Sequence, residues 1–347
     1  MAKPSLSIAP DRLGEAERAP VLHPNFTLKQ LGYFVAAARH QSVVKAADEI
    51  HVSPPSVSAA IAHLEAVMSV ELFVRRHARG LVLTEAGRDV MAEARNILSQ
   101  AGDLEFRRRD RSDRMEGRFE LGCLPSVGPY LVPPMIQRFK AEYPNVDIRF
   151  HEGGQEDLFA GLEQGSLEIA LLYDIDVPSA ATCLPIRRMP ILLTLPGTHP
   201  LAAHEAPSIK DVIHEPFILL DQANTANYYL SVFSNLGLKP RVVHRVHSYE
   251  MVRGLVANGL GYSLLNFCPR SRLGARNALV TRPLAEPPGT KLVFAHLHQY
   301  RMNRIAKTFV EAATGFIRSL DFAVLEDTVG RDPASSNSEK PNSSDEE

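Results

Sequence analysis

Cysteine is scarce in this chain. Its 347 residues hold three, at positions 123, 183 and 268, too far apart for a metal site of the usual spacing. An oxidised disulfide framework is not expected. No run of about 18 apolar residues occurs, which argues against a membrane-spanning helix. Residues 1–24 lack the apolar core of a signal peptide; rich in Ala, Pro and charge, they read as a flexible arm. Walker loops and dinucleotide-type glycine runs are missing. Ser126 does not sit in a Gly-x-Ser-x-Gly elbow. The 13 histidines are scattered, and His244 and His247 do not have ligand spacing. These absences argue against a hydrolase, a nucleotide enzyme or a metalloenzyme. They point to a cytoplasmic protein that is not an enzyme and holds no metal and no cofactor. A net charge of −2 carries no whole-chain signal for nucleic acid, although a large second domain would dilute one.

What is present is patterned. The chain is too long for one ordinary core, and its 45% hydrophobic content supports globular domains. Leu28, Leu31, Phe34, Val35 and Ala38 recur at helical spacing up to about residue 40. Ser42 suits the N-cap of a second helix that turns Ala46, Ala47 and Ile50 inward. Paired alanines allow two helices to cross closely. Val52 plugs the turn, Ser53 can cap a third helix, and Pro54 fits its first position, where a missing N–H costs nothing. Val57, Ile61 and Leu64 form the buried face of that helix. Ser56, Ser58, Ala59 and His63 are left outside, a small polar face able to enter a major groove. Three helices of an unrelated bundle would show the same periodicity, so the flanking segments matter. Residues 72–76 and 81–83, separated by a turn with Gly80, fit a two-stranded wing with Arg75, Arg76 and Arg79 near its tip, suited to phosphate contact.

The segment resembles the DNA-binding domain of LysR-type transcriptional regulators. The matching residues are Ala46, Ala47, Ile50, Ser53, Ser58, Ile61, Leu64, Glu65, Leu72, Phe73, Arg75, Leu83, Thr84, Ala86 and Gly87. The chain departs from the family pattern at Pro54, often Gln; at Ala59 and Ala60, often an Arg-Gln pair; and at Ser69, usually Gly. Base reading is therefore expected from Pro55, Ser56, Ser58 and the wing arginines, and from operator shape. Ser42, Ser53, Ala59 and His63 complete the candidate DNA-binding set.

Val90, Ala94, Ile97, Ala101 and Leu104 then follow at heptad spacing, a seam that favours pairing with another helix over docking on its own domain. The resemblance implies a dimer helix here, with assembly as a homodimer or homotetramer. Residues 107–114 mix charges and read as a solvated helix end; Gly117 marks a hinge.

Beyond it strands and helices alternate, which implies a parallel sheet. Strands are expected at 119–124, 146–150, 168–173, 190–195, 217–220, 242–246, 262–265 and 291–295. Helices are expected at 130–143, 156–164, 227–236, 249–258 and 302–320. This half is similar to the LysR-type effector domain, which has the periplasmic-binding-protein fold. The expected class is α/β: a winged helix-turn-helix at 26–84 after an arm at 1–25, a dimerisation helix at 85–116, and an effector domain at 117–320. Subdomain I spans 117–187 and 288–320, subdomain II 188–287, and crossovers lie near 186–190 and 283–288. Residues 321–347, rich in Ser, Asn, Pro and acid, read as a disordered tail.

The resemblance places a small-molecule effector, a co-inducer, in the cleft between the subdomains. Ser126 follows a strand and opens a helix, where N–H groups and the dipole favour an anion; a simple helix cap would look the same. Asn224, Thr225 and Asn227 occupy the corresponding turn after residue 221, at the carboxyl ends of strands. Gly153 can admit a ligand to the backbone. Tyr173, His247 and Phe267 are further candidates. Peroxide-sensing relatives use two close cysteines in subdomain II; only Cys183 and Cys268 approach that region here, so a disulfide switch is not expected.

The expected function is a sequence-specific regulator that binds double-stranded promoter DNA under control of a small anionic organic effector, with RNA polymerase as a further partner and no membrane association. The alternatives are a ligand-sequestering solute-binding protein without a DNA role, and an α/β hydrolase. Ser58→Arg is expected to weaken specific duplex binding while the C-terminal half stays folded. Unchanged gel-shift affinity for the native operator would overturn the recognition-helix assignment.

Overall fold

The computed structural model describes residues 24–76, 80–108, 115–269, 279–285 and 289–322. The arm up to residue 23, the wing tip at 77–79 with Arg79, residues 109–114 of the mixed-charge run, and the tail from 323 lie outside the described residues.

Three helices open the chain: α1 (Leu28–His40), α2 (Val43–Glu49) and α3 (Pro54–Met68). Thr27 and Gln30 start α1 with a reciprocal capping box. Ala46 and Ala47 are fully buried against Ala36, Ala37, Val57 and Ile61. Larger side chains at that crossing would hold the three helices apart. Ser42 caps α2 by accepting from Lys45 N at 3.3 Å. Ser53 occupies the N-cap of α3 but makes no capping bond; its hydroxyl pairs with Ser56 Oγ at 2.8 Å instead.

The wing is the antiparallel pair β1 (Phe73–Arg76) and β2 (Gly80–Leu83). Two polar anchors hold it. Glu65 Oε1 accepts from Leu72 N at 2.8 Å, and Leu81 N donates to Gln41 O at 2.9 Å. Thr84 caps the next helix, α4 (Glu85–Arg108), through Gly87 N at 2.8 Å. Only glycine fits at 87, because a Cβ there would collide with the Leu72 carbonyl oxygen.

The heptad seam on α4 divides. Met91 and Ala94 are buried in the N-terminal core, with Val90 packed beside them. Ala92 belongs to the core of the C-terminal half. Ile97 and Leu104 remain exposed. The first part of the seam thus docks on its own chain, and only the second part is left for another helix.

In the C-terminal half, the first sheet has the order β4-β3-β5-β12-β6. Its strands are β3 (Gly117–Cys123), β4 (Val146–Glu152), β5 (Ile169–Tyr173), β6 (Ala181–Met189) and β12 (Thr290–Leu297). β3 runs parallel to β4 and β5, whereas β12 is antiparallel to β5 and β6. The expected parallel sheet is therefore mixed. β6 begins well before the crossover expected near 186–190, because Pro185, Arg187 and Arg188 break its apolar pattern; it pairs with β12 along most of its length. Helices α5 (Gly128–Glu142), α6 (Gln155–Glu163) and α9 (Arg304–Ser319) cover this sheet. Phe309 is the hub of its core, with ring centroids 5.0 Å from Phe119 and 5.3 Å from Phe139.

The chain passes from β6 to β7 (Leu192–Pro196) through Pro190, and returns from β11 (Leu279–Pro283) to β12. Between these crossings lies the second unit. It holds the antiparallel set β10-β7-β11, with β10 (Ser263–Leu265), and the parallel pair β8 (Pro216–Leu220) and β9 (Arg241–Val246). Helices α7 (Ala223–Ser234) and α8 (Tyr249–Ala257) pack on it around Phe217, Phe233 and Tyr262. α7 begins four residues before the expected 227, since its first turn is polar and reads as a loop. No helix among the described residues is long and apolar enough to cross a membrane.

Ser69 ends α3 in the left-handed region, φ 57°. A side chain there costs about 1–2 kcal/mol. Ser69→Gly is expected to stabilise the N-terminal domain by about 1 kcal/mol, read as a higher thermal midpoint. An unchanged or lower midpoint would refute this.

Candidate functional site

Two surfaces carry the sequence-derived candidates. On α3, Val57, Ala60, Ile61 and Leu64 face the core. Pro55, Ser56, Ala59 and His63 are exposed and follow one another around the outer face, while Ser58 is half-buried at its edge. Of the two alanines at the departure from the family pattern, only Ala59 can face a groove. His63 Nδ1 lies 3.2 Å from Gln30 Nε2, which ties the face to the capping box of α1. Ser42 is engaged as the cap of α2, and Ser53 is exposed at the entry to α3. The backbones of Arg75 and Arg76 lie in β1 opposite Leu81 and Gly80.

Behind this face, Glu49 at the end of α2 receives Arg39, His40 and, from β3, Arg118. Burial alone would raise its pKa, but the hydrogen bonds from His40 and Arg39 and the charges of Arg39 and Arg118 bring it below its ordinary 4.5. Glu49 is thus a joint between the helix-turn-helix and the C-terminal half, and sequence pattern showed no sign of it. A depressed carboxylate pKa contributes stability above the unfolded-state pKa and loses it as pH falls through the folded value. The excess thermal stability of the wild type over Glu49→Gln is expected to be full near neutral pH and to vanish below the carboxylate range. A difference independent of pH would contradict that.

The second surface is a cleft between the two units of the C-terminal half. A cavity of ≈ 20 Å³ lies there, at the carboxyl ends of β3, β5, β8 and β10. Three candidates line it: Ser126 after β3, Tyr173 ending β5, and Thr225 in the first turn of α7. Gln222, Tyr229, Tyr249 and Asn266 complete its polar wall. Tyr229 Oη donates to Asn266 Oδ1 at 2.9 Å, and Asn266 Nδ2 donates to Pro190 O at 3.1 Å. Burial raises the pKa of the Tyr173 phenol, with the neighbouring Ser126 hydroxyl opposing. Burial likewise keeps Tyr229 and Tyr249 neutral. The Tyr173 hydroxyl is buried and finds no partner at normal hydrogen-bond geometry.

Five candidates do not line the cavity. Gly153 N donates to Cys123 O at 3.2 Å, which closes a turn ahead of α6. Asn224 and Asn227 lie within α7, the latter exposed, and not in a turn before it. His247 is exposed on the loop before α8, and its carbonyl accepts from Gln222 Nε2 at 2.7 Å. Phe267 is 5% exposed, in edge-to-face contact with Tyr130 at 5.5 Å and Phe322 at 5.3 Å, so it is a packing residue outside the cavity lining. Arg253 was not anticipated. It is 1% exposed and crosses the cleft from α8, donating to Tyr130 Oη on α5 at 3.0 Å and to Pro269 O at 2.6 Å. Among the described residues no group of three or more His, Cys, Asp or Glu could hold a metal ion.

The comparisons with known proteins agree on both halves. Residues 28–88 match the model for "Bacterial regulatory helix-turn-helix protein, lysR family", and residues 112–316 that for "LysR substrate binding domain". The chain is 28% identical over 305 residues to a hydrogen peroxide-inducible genes activator of Pectobacterium carotovorum, covering 84% of this chain and 99% of the relative. It is 32% identical over 241 residues to the regulator CfxR of Cupriavidus necator, covering 69% of this chain and 75% of the relative. Among solved structures, HinK, a LysR family regulator from Pseudomonas aeruginosa, is 33% identical with a TM-score of 0.57, covering 85% of this chain and all of that one. A full-length OxyR variant of Pseudomonas aeruginosa shares the fold at a TM-score of 0.67 and 24% identity, covering 86% of this chain and 99% of that one.

Proposed function

The chain belongs to the LysR family of DNA-binding transcriptional regulators with a C-terminal effector-binding domain, and we propose that its cleft takes a small organic carboxylate which alters how α3 meets duplex DNA. The observation that carries this reading is the Tyr173 hydroxyl, buried and neutral, with only the Ser126 hydroxyl beside it and no partner at normal hydrogen-bond geometry. A neutral phenol O–H is a donor, and a buried donor without an acceptor costs about 1–3 kcal/mol. A carboxylate would satisfy it, with Ser126, Thr225 and the first N–H groups of α7 as further donors. A cavity of ≈ 20 Å³ has room for about one water. Entry of an organic acid therefore requires the subdomains to part, and the Arg253–Tyr130 bond is the contact that must yield or shift. A ligand that binds the open and closed forms differently moves that equilibrium by the same free energy.

On this reading Pro55, Ser56, Ala59 and His63 approach the major groove, with Ser42, Ser53, Ser58, Arg75, Arg76 and Arg79 at its margins and on phosphates. The regulator works as a homodimer or homotetramer in the cytoplasm, acts on RNA polymerase at its promoters, and performs no catalysis. Several relatives are named for hydrogen peroxide. Thiol sensing is not favoured in this chain. Burial pushes the Cys123 thiol up to about 12 and raises Cys183, and none of the three cysteines is in a disulfide. Thiols held protonated are poor nucleophiles.

Tyr173→Phe is expected to weaken the DNA response to the activating carboxylate about tenfold, measured as the effector concentration that half-shifts operator binding. An unshifted dose curve would remove Tyr173 from the site.

A further inference from the structure

A far larger cavity lies away from the cleft, ≈ 360 Å³ against ≈ 20 Å³. It sits where three parts of the chain meet: α1 contributes Val35, α4 contributes Arg95, Leu98 and Ser99, and subdomain I contributes Glu168, the loop from Tyr300 to Asn303 and the start of α9 at Arg304 and Ile305. The loop is clamped to α4 by Asn96, which donates to Gln299 O at 3.0 Å and accepts from Arg301 N at 2.8 Å. The walls are therefore built and held. Their size falls within the range of ordinary small-molecule pockets.

Two residues of α4 that line this cavity each carry a buried polar atom without a hydrogen-bond partner. The Arg95 guanidinium lies 4.5 Å from the centre of the Tyr300 ring, held on that side by a cation–π contact. Its Nη1 is buried and has no hydrogen-bond partner, and the same is true of Ser99 Oγ, one turn further along α4. Burial lowers the Arg95 pKa, with the charge of Glu168 opposing, as expected of a cation removed from water and only partly compensated. Glu168 does not fully supply the paired anion. Burial raises its carboxyl to about 7, against the pull of Arg95, and Asn303 Nδ2 donates to it at 2.8 Å. Of the charged groups bordering the space, Arg95, Arg301 and Arg304 stand against Glu116 and Glu168. Val35, Leu98, Met302 and Ile305 supply the apolar remainder.

We propose that this junction is a second ligand site, taking a small carboxylate with an apolar body whose carboxylate is held by Arg95 and Ser99. A planar guanidinium matches a carboxylate edge to edge. The walls come from the helix-turn-helix, the linker helix and subdomain I together. Occupancy therefore favours the arrangement in which these three parts pack as they do here, and that arrangement in turn raises affinity. The site shares no lining residue with the cleft.

The test is calorimetric titration of the full-length protein with phenylacetate, and with phenylacetamide as the uncharged isostere. Phenylacetate is expected to bind and the amide to bind at least about tenfold more weakly. Arg95→Met should weaken phenylacetate binding by about tenfold or more, and Tyr173→Phe should leave this binding event in place. Should Arg95→Met fail to fold, Gly102→Leu decides the matter. Gly102 borders the cavity, and a Cβ there meets nothing within 4 Å, so this variant is expected to fold and to narrow the space. It should also weaken binding. Absence of phenylacetate binding to the wild type would overturn the proposal. So would binding abolished by Tyr173→Phe but unchanged in Arg95→Met and Gly102→Leu, because all the affinity would then reside in the cleft.

Discussion

One helix has to satisfy two cores at once. α4 gives Met91 and Ala94 to the helix-turn-helix and Ala92 to subdomain I, on neighbouring positions of the same turns. Successive helical positions point about 100° apart, so these residues can serve both only if the two bodies lie on adjacent sides of α4. The rest of the junction follows from that placement. Arg95 must pass between the bodies, and it does so with its Nη1 2.8 Å from where a Cβ on Gly165 would be and its guanidinium over Tyr300. Gly165 is left-handed, φ 70°, and has no side chain to block it. Glu49 and Arg118 close the other side of the same junction. Where the polar groups of α4 outrun the partners available between two convex surfaces, a cavity with unpaired donors is left.

This double duty also explains why a heptad seam was a partial guide. Spacing reports which residues share a face, not which body covers it. Val90 and Ala94 look the same in sequence as Ile97 and Leu104, yet the first two pack into the N-terminal core and the last two are exposed. Local signals were more dependable. Ala46 and Ala47, the cap at Ser42, and Gly87 against Leu72 O depend on residues within a few turns of each other, and those relations are written in the pattern. Ser53 shows the limit of that reasoning. The residue type suits a cap, but Ser56 offered a nearer hydroxyl.

The cleft was legible only where a strand ends in a residue of suitable chemistry. Ser126 and Tyr173 were visible that way, and the turn after β8 led to Thr225. Tyr249, Asn266 and Arg253 could not be read so, because their roles are set by the second unit folding back on the first. Asn266 reaches Pro190, 76 positions away, and Arg253 reaches Tyr130 across 123. Phe267 illustrates the same gap from the other side. It neighbours Asn266 in sequence, but one step along the chain turns a side chain from the cavity to the packing of Tyr130 and Phe322.

The described hydrogen bonds between the N-terminal part and the effector domain end on subdomain I. They are Gln41 to Gln164, Arg118 to Glu49, and Asn96 to Gln299 and Arg301. The cleft shares no lining residue with this junction, so a closing movement of the second subdomain against the first would not act on these contacts directly. A rigid subdomain I would leave α3 where it was. An effector in the cleft then acts on DNA by one of two physical routes. Either the second subdomain presents a changed surface to another copy of the chain, which resets the spacing of two recognition helices, or subdomain I itself yields at the junction. The first route needs no deformation of a packed core, and packed cores resist it. The proposed homo-oligomer would then be more than a family habit, since it would give a movement of the cleft a way to reach a helix to which the cleft is not directly bonded.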